Sequence, residues 1–187
     1  MAYSEFENRL ANLINAGFPY IFIPSYEEER VVNTIVRDLT NPELVRAPRK
    51  LYVWAQTTGL VCEGERVKDT YQPIPAIDFI GRSNEDAVFV LKDCHAYFGA
   101  DRAARPDYAV IRKLRDILPN LKSSRKTVIF LSPHLVIPGD MEKEISILDF
   151  PLPTMAEIEQ MLDELLEGVS PENIRLTQNE KHTLVRA

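Results

Sequence analysis

Five apolar runs of strand length alternate with stretches of helical period, and no other feature of the chain limits its fold as much. The runs are Tyr20-Ile21-Phe22-Ile23, Leu51-Tyr52-Val53-Trp54-Ala55, Ala87-Val88-Phe89-Val90-Leu91, Thr127-Val128-Ile129-Phe130-Leu131 and Ile145 to Phe150. A run that is apolar at every position, as 87–91 is, suits a strand covered on both faces, because a face open to water would bring a polar residue at every second position. The stretches between them carry helix signals. Ser4 and Glu7 have capping-box spacing ahead of Phe6, Leu10, Leu13 and Ile14, and Gly17 stops that helix. Ser25 and Glu28 repeat the spacing and predict a capped helix with the stripe Glu28, Val32, Ile35, Val36 and Leu39, Val31 lying alongside.

Further along, Gly59 to Gln72 reads as an irregular or hairpin excursion and Ile74 to Ile80 as a short helix. Asp107 to Leu121 reads as a helix with Val110, Leu114, Ile117, Leu118 and Leu121 inward. Strand-helix alternation of this kind predicts a doubly wound, mostly parallel five-stranded α/β sheet over residues 1–150, with right-handed crossovers. From Pro151 the pattern turns helical and acidic. Thr154 and Glu157 open a helix carrying Met155, Ile158, Met161, Leu162 and Leu165, so Leu152-Pro153 is the expected boundary with a second unit over 151–187.

Charge and composition narrow the function. Of 22 basic and 28 acidic residues, residues 151–187 hold 3 and 7, leaving the body nearly neutral and without the global positive field that nucleic-acid binders use. No run of about twenty uncharged apolar residues exists. Met1 to Asn8 carries acids rather than a basic flank and an apolar core, so neither a membrane span nor a signal peptide is expected and the compartment is the cytosol or an organelle interior. Cys62 and Cys94 are too few for a disulfide framework and are expected as reduced thiols.

In an open α/β sheet, ligands bind beyond the C-terminal ends of the strands. A phosphate site after the first run needs a glycine-rich loop whose amides approach the anion, usually with a lysine. This turn reads Pro24-Ser25-Tyr26-Glu27-Glu28-Glu29-Arg30, with no glycine, no lysine and three carboxylates that would repel a phosphate. Gly59 and Gly64 have phosphate-loop spacing, but Glu65 and Arg66 stand where lysine and a hydroxyl residue belong. The third run ends on Lys92, a cation where a carboxylate would hold Mg²⁺. Asp93, Cys94 and His95 follow, and the fourth run ends Leu131-Ser132-Pro133-His134. A small hydrolase using Asp93, His95, Ser132 and His134 can be drawn at this rim, although no glycine-flanked nucleophile elbow is present and neighbours on an extended chain point to opposite sides.

Between Asp101 and Lys126 the bases Arg102, Arg105, Arg112, Lys113, Arg115, Lys122, Arg125 and Lys126 outnumber Asp101, Asp107 and Asp116. This is either a solvated helix face or an electrostatic contact, with Arg102, Arg105, Arg112, Arg115 and Lys122 as the candidate partner contacts and the acidic end of a neighbouring copy as one such partner. A nucleic-acid module ranks below these, because only Tyr97, Phe98 and Tyr108 are at hand for base stacking.

The order of elements resembles the large subdomain of an AAA-type ATPase. In that resemblance 20–23 stands for the strand before the Walker A loop, Val88 to Asp93 for Walker B, Thr127 to Ser132 for the sensor-one strand and Leu148 to Pro153 for the link into a helical lid. Glu27-Glu28-Glu29-Arg30-Val31, Leu51-Tyr52-Val53-Trp54, Val90-Leu91-Lys92-Asp93-Cys94-His95 and Thr127 to Pro133 are similar to the N-terminal domain of the plastid and cyanobacterial AAA ATPase family called hypothetical chloroplast reading frame forty-six. The resemblance implies a degenerate P-loop NTPase fold with the start of a lid, its tail at Ser170 to Ala187. It implies a non-catalytic module without nucleotide, metal or catalytic residues, since Ser25 to Arg30 departs from Walker A and Lys92 replaces the Walker B aspartate. Such a module works beside an active C-terminal AAA module that alone uses ATP and Mg²⁺. Its implied partners are that module, neighbouring subunits and a protein client, with no membrane and no nucleic acid. The implied setting is photosynthesis and inorganic-carbon use, in the cytoplasm or the plastid stroma.

Overall fold

The apolar runs pair side by side because each carries two faces to bury. The computed structural model describes residues 3–99 and 105–167. In chain order the elements are α1 (Glu5–Asn15), β1 (Tyr20–Pro24), α2 (Glu28–Thr40), β2 (Lys50–Ala55), β3 (Gly59–Cys62), β4 (Glu65–Arg66), α3 (Pro73–Arg82), β5 (Ala87–Lys92), α4 (Tyr108–Lys122), β6 (Lys126–Ser132), β7 (Ile145–Ile147) and α5 (Met155–Glu167). The chain divides after Phe150 into two compact units, the second being 151–187.

The sheet has seven strands in the order β4-β3-β2-β5-β6-β1-β7, two more than the sequence predicts. Five of them, β2, β5, β6, β1 and β7, are parallel, with Tyr20 opposite Val128 and Ile145, and Val53 opposite Val90. The additional pair comes from the excursion after Gly59: β3 runs antiparallel to β2 and folds back into β4. Glu63 (φ 51°) and Gly64 (φ 82°) occupy the two turn positions, both left-handed, as a tight hairpin turn with the strands' own twist demands. The last run is shorter than expected. The β7 ladder ends at Ile147, although Leu148 N still donates to Phe22 O at 2.9 Å, and Phe150 leaves the sheet to pack edge-on against Phe6 at 4.9 Å.

Alternate residues of each central strand enter two cores. Tyr20, Phe22, Phe89, Val128 and Phe130 face α3 and α4, while Ile21, Ile23, Val88, Val90, Ile129 and Leu131 face α1 and α2. α3 and α4 come close at Gly81, where a Cβ would lie 2.8 Å from Ile117 Cγ2. The capping box at Ser4 forms as expected, Glu7 N donating to Ser4 Oγ at 3.2 Å and Ser4 N to Glu7 Oε2 at 2.6 Å. On α2 the buried stripe is Val31, Ile35, Asp38 and Leu39, rotated from the expected one, which leaves Val36 exposed and brings in an aspartate. In the second unit Glu157 N donates to Thr154 Oγ1 at 3.3 Å and Thr154 N to Glu157 Oε2 at 2.7 Å, completing that box at the start of α5. The side chains of Met161 and Leu165, and the tail from Ser170 to Ala187, lie outside the described residues.

Candidate functional site

The parallel strands β5, β6 and β1 end together, and the side chains that leave them form the rim where this kind of sheet keeps a ligand. Ser25 N donates to Ser132 O at 3.0 Å and Asp93 N to Leu131 O at 2.9 Å, so the three strand ends are tied by backbone bonds just where the polar residues begin.

The turn after β1 differs from the predicted capped helix. Ser25 Oγ accepts from Glu27 N at 3.0 Å, a local turn bond, and the N-cap position falls to Glu27, which makes no side-chain cap. The backbone takes a tight turn at Ser25, so Glu28 is freed from the expected box and becomes the first helical residue. Its Oε2 instead reaches Lys92 Nζ at 2.7 Å, across from α2 to the end of β5. Glu27 turns back to Arg30, whose Nη2 it meets at 2.7 Å, and the Arg30 guanidinium lies 4.1 Å from the centre of the Phe150 ring. The N-cap and first turn of α2 thus carry Glu27, Glu28 and Glu29 where a phosphate would need bare amides.

On the other side of the rim the chain is not extended. Asp93 adopts a left-handed conformation (φ 56°, ψ 27°) and starts a 3₁₀ turn over Cys94–Tyr97. That turn replaces the extended segment of the sequence reading, and Asp93 Oδ1 lies 3.7 Å from His95 Nδ1. Cys94 goes inward instead, and burial pushes its thiol well above the ordinary range, away from the thiolate that a nucleophile requires. The His95 ring meets the His134 ring edge-to-face at 5.5 Å, and His134 meets the exposed Tyr26 at 6.1 Å. Ser132 is fully buried, and its Oγ has no hydrogen-bond partner among the described residues. The structure therefore gathers Asp93, His95 and His134 at one rim, but it gives Ser132 no hydrogen bond to a histidine base. Among the described residues no group of three histidine, cysteine, aspartate or glutamate side chains is placed to hold a metal ion.

The basic stretch is largely matched from within. Arg112 pairs with Asp116 at 2.6 Å, Arg115 with Asp140 at 3.2 Å, Lys122 with Glu144 at 2.7 Å and Arg125 with Asp86 at 3.0 Å, while Lys113 pairs with Asp78. Four of these acids come from outside the stretch, which the count along the sequence could not include. Arg105 is exposed, and Arg102 lies outside the described residues. Lys126 is no surface base at all. It is 1% exposed, and its ammonium donates to Ile80 O and Ser83 O at 2.8 Å each, capping the end of α3. The sequence carries no signal for that role beyond the position of Lys126 at the head of an apolar run.

Residues 6–150 match the family model described as the N-terminal domain of SpoVK-like AAA ATPases. The chain is 30% identical over 166 residues to the AAA domain-containing protein ycf46 of Guillardia theta and 30% identical over 172 residues to that of Trieres chinensis. These alignments cover 84% and 89% of this chain but 29% and 32% of the relatives, so the chain spans about a third of the length of the curated relatives it matches. Among solved structures, a chain from the E. coli MS115-1 HORMA:CdnC:Trip13 complex superposes with a TM-score of 0.61 at 11% identity, covering 98% of this chain and 72% of that one. The FIGL-1 AAA domain in complex with ADP superposes with a TM-score of 0.55 at 9% identity, covering 97% and 61%. At these identities the likeness is one of fold.

Proposed function

Because the chain belongs to the family of SpoVK-like AAA ATPase N-terminal domains, we propose that it is a non-catalytic AAA-like domain that engages a protein partner or a neighbouring module. The observation that carries this reading is the Glu28–Lys92 pair at 2.7 Å. An AAA-type fold would receive a nucleotide's phosphates at the turn after β1 and a divalent cation at the end of β5. Here an internal carboxylate and ammonium from those two places neutralise one another. A triphosphate entering would have to part the pair and settle beside Glu27 and Glu29, with no glycine loop to offer amides and no carboxylate at Lys92 to hold Mg²⁺. The residues present do not fit the nucleotide.

On this reading the packing surfaces of an AAA domain are retained for assembly, regulation or client engagement. Its partners are an active AAA module of the longer family polypeptide, which would use ATP and Mg²⁺, and neighbouring subunits. Arg102, Arg105, Arg112, Arg115 and Lys122 are proposed contacts, and the present acidic mates of Arg112, Arg115 and Lys122 would be exchanged for a partner's. The similarity to ycf46 proteins supports a setting in a plastid stroma or a cyanobacterial cytoplasm and a link to photosynthesis and inorganic-carbon use. Calorimetry and thermal-shift titration of the chain with ATP or ADP and Mg²⁺ test the reading. No heat and no shift at millimolar nucleotide are expected. Saturable binding that is lost when Glu28 and Lys92 are replaced would overturn it.

A further inference from the structure

Asp38 is the one carboxylate that α2 turns inward. It is 1% exposed, and neither of its oxygens has a hydrogen-bond partner among the described residues. Its neighbourhood holds a charge imbalance. The charged groups facing it are Glu7 from α1 and Arg37 from α2 itself. Arg37 spends its Nη2 on Glu7 Oε1 at 2.5 Å, bridging the two helices, and only its Nε approaches Asp38 Oδ1, at 3.8 Å, beyond hydrogen-bond reach. Glu7 is committed as a carboxylate, since it also accepts from Ser4 N in the α1 capping box. Glu43, in the segment that follows α2, is engaged by the Tyr3 hydroxyl, and Asn41 Nδ2 donates to that hydroxyl at 2.8 Å. Two carboxylates therefore share one cation across the α1–α2 contact, and the buried one has no donor of its own.

We propose that the α1–α2 contact is a proton-dependent latch: with Asp38 protonated the contact is tight, and once Asp38 is ionised the buried charge loosens α1 from the sheet. Burial first, and the Glu7 carboxylate second, push the Asp38 pKa up from 3.8 to about 6. A carboxyl group that binds its proton more tightly when the contact is closed makes closure strongest below pH 3.8 and weaker as pH rises towards 6, and the loss is complete above that. Over that window the opening equilibrium of α1 rises about a hundredfold and then levels, so at neutral pH the helix is held by its apolar face and its remaining polar bonds, the Arg37–Glu7 bridge among them, against the buried charge. Arg37 sets the size of the effect, because the share of its charge that Glu7 takes is withheld from Asp38.

The test is amide hydrogen exchange of the whole chain between pH 4 and 8, corrected for intrinsic rates, in the wild type and in Asp38→Asn and Glu7→Gln. α1 amides are expected to open up to a hundredfold more at pH 7 than at pH 4, while α4 amides on the opposite face of the sheet keep a constant protection. Asp38→Asn should hold α1 at its low-pH protection throughout. Glu7→Gln should move the Asp38 carboxyl midpoint, followed directly by carbon NMR, below that of the wild type. A pH-independent α1, a rise that persists in Asp38→Asn, or an Asp38 midpoint near 4 overturns the latch.

Discussion

The Glu28–Lys92 pair can be measured as a coupling energy, and its size can be worked from the structure. At 2.7 Å, attraction between unit charges runs from about 1.5 kcal/mol in bulk water to about 6 kcal/mol at an effective dielectric near 20. The Lys92 and Glu28 side chains are 22% and 34% exposed, so the pair lies between those limits. Partial desolvation and the ordering of two long side chains offset much of the attraction, as they do for surface pairs whose net worth is about 0–1 kcal/mol. A coupling of about 1–2 kcal/mol is the expected remainder. Glu28→Gln and Lys92→Met, alone and together, close a double-mutant cycle read by urea unfolding, with methionine keeping the lysine stem in place. Raising the salt from about 0.05 M to 1 M should lower the coupling without abolishing it, because partly buried charges are incompletely screened. A coupling below about 0.3 kcal/mol, within the ordinary scatter of additive sites, would show that the pair does not hold α2 to β5. A phosphate and a cation could then displace the pair at little cost.

Two further outcomes follow from buried groups. Lys126→Met leaves the carbonyls of Ile80 and Ser83 without their ammonium donor. Each stranded acceptor costs about 1–3 kcal/mol and the departing buried charge returns part of that, so urea unfolding should show a net loss of about 2 kcal/mol; a change under about 0.5 kcal/mol would refute the capping role. In the native chain only Cys62, half-buried, should take up a thiol reagent, more slowly than a free cysteine because burial raises its pKa, whereas Cys94 should label only after denaturation. Equal native labelling rates, read by mass spectrometry, would contradict the placement of the 3₁₀ turn that buries Cys94.

Much of the fold was legible because hydrophobic periodicity is a local signal. The runs at 20–23, 87–91 and 127–131 became the central parallel strands, and the spacing of Val110, Leu114, Ile117 and Leu121 became the buried face of α4. The β3–β4 hairpin was only half legible. Gly64 marks its turn, but a two-residue β4 of Glu65 and Arg66 has no pattern of its own and exists because β3 offers an edge. The capping spacing worked for Ser4 and Thr154 and failed for Ser25, where a lysine on a distant strand offered Glu28 a stronger partner than a backbone amide of its own helix.

Residue types at short separation were enough for the alternation of strands and helices and for the lack of glycine and lysine after β1. Pairing across the fold was decided by the tertiary structure alone. It joined Glu28 to Lys92, matched the bases between 113 and 125 with Asp78, Asp86, Asp140 and Glu144, and placed Lys126 under the end of α3. Charge and burial at those positions are properties of neighbours tens of residues away in the chain. The buried, donorless Asp38 shows why: rotation of α2 by a fraction of a turn, set by what α1 and the sheet could accommodate, changed a surface acid into a buried titratable group.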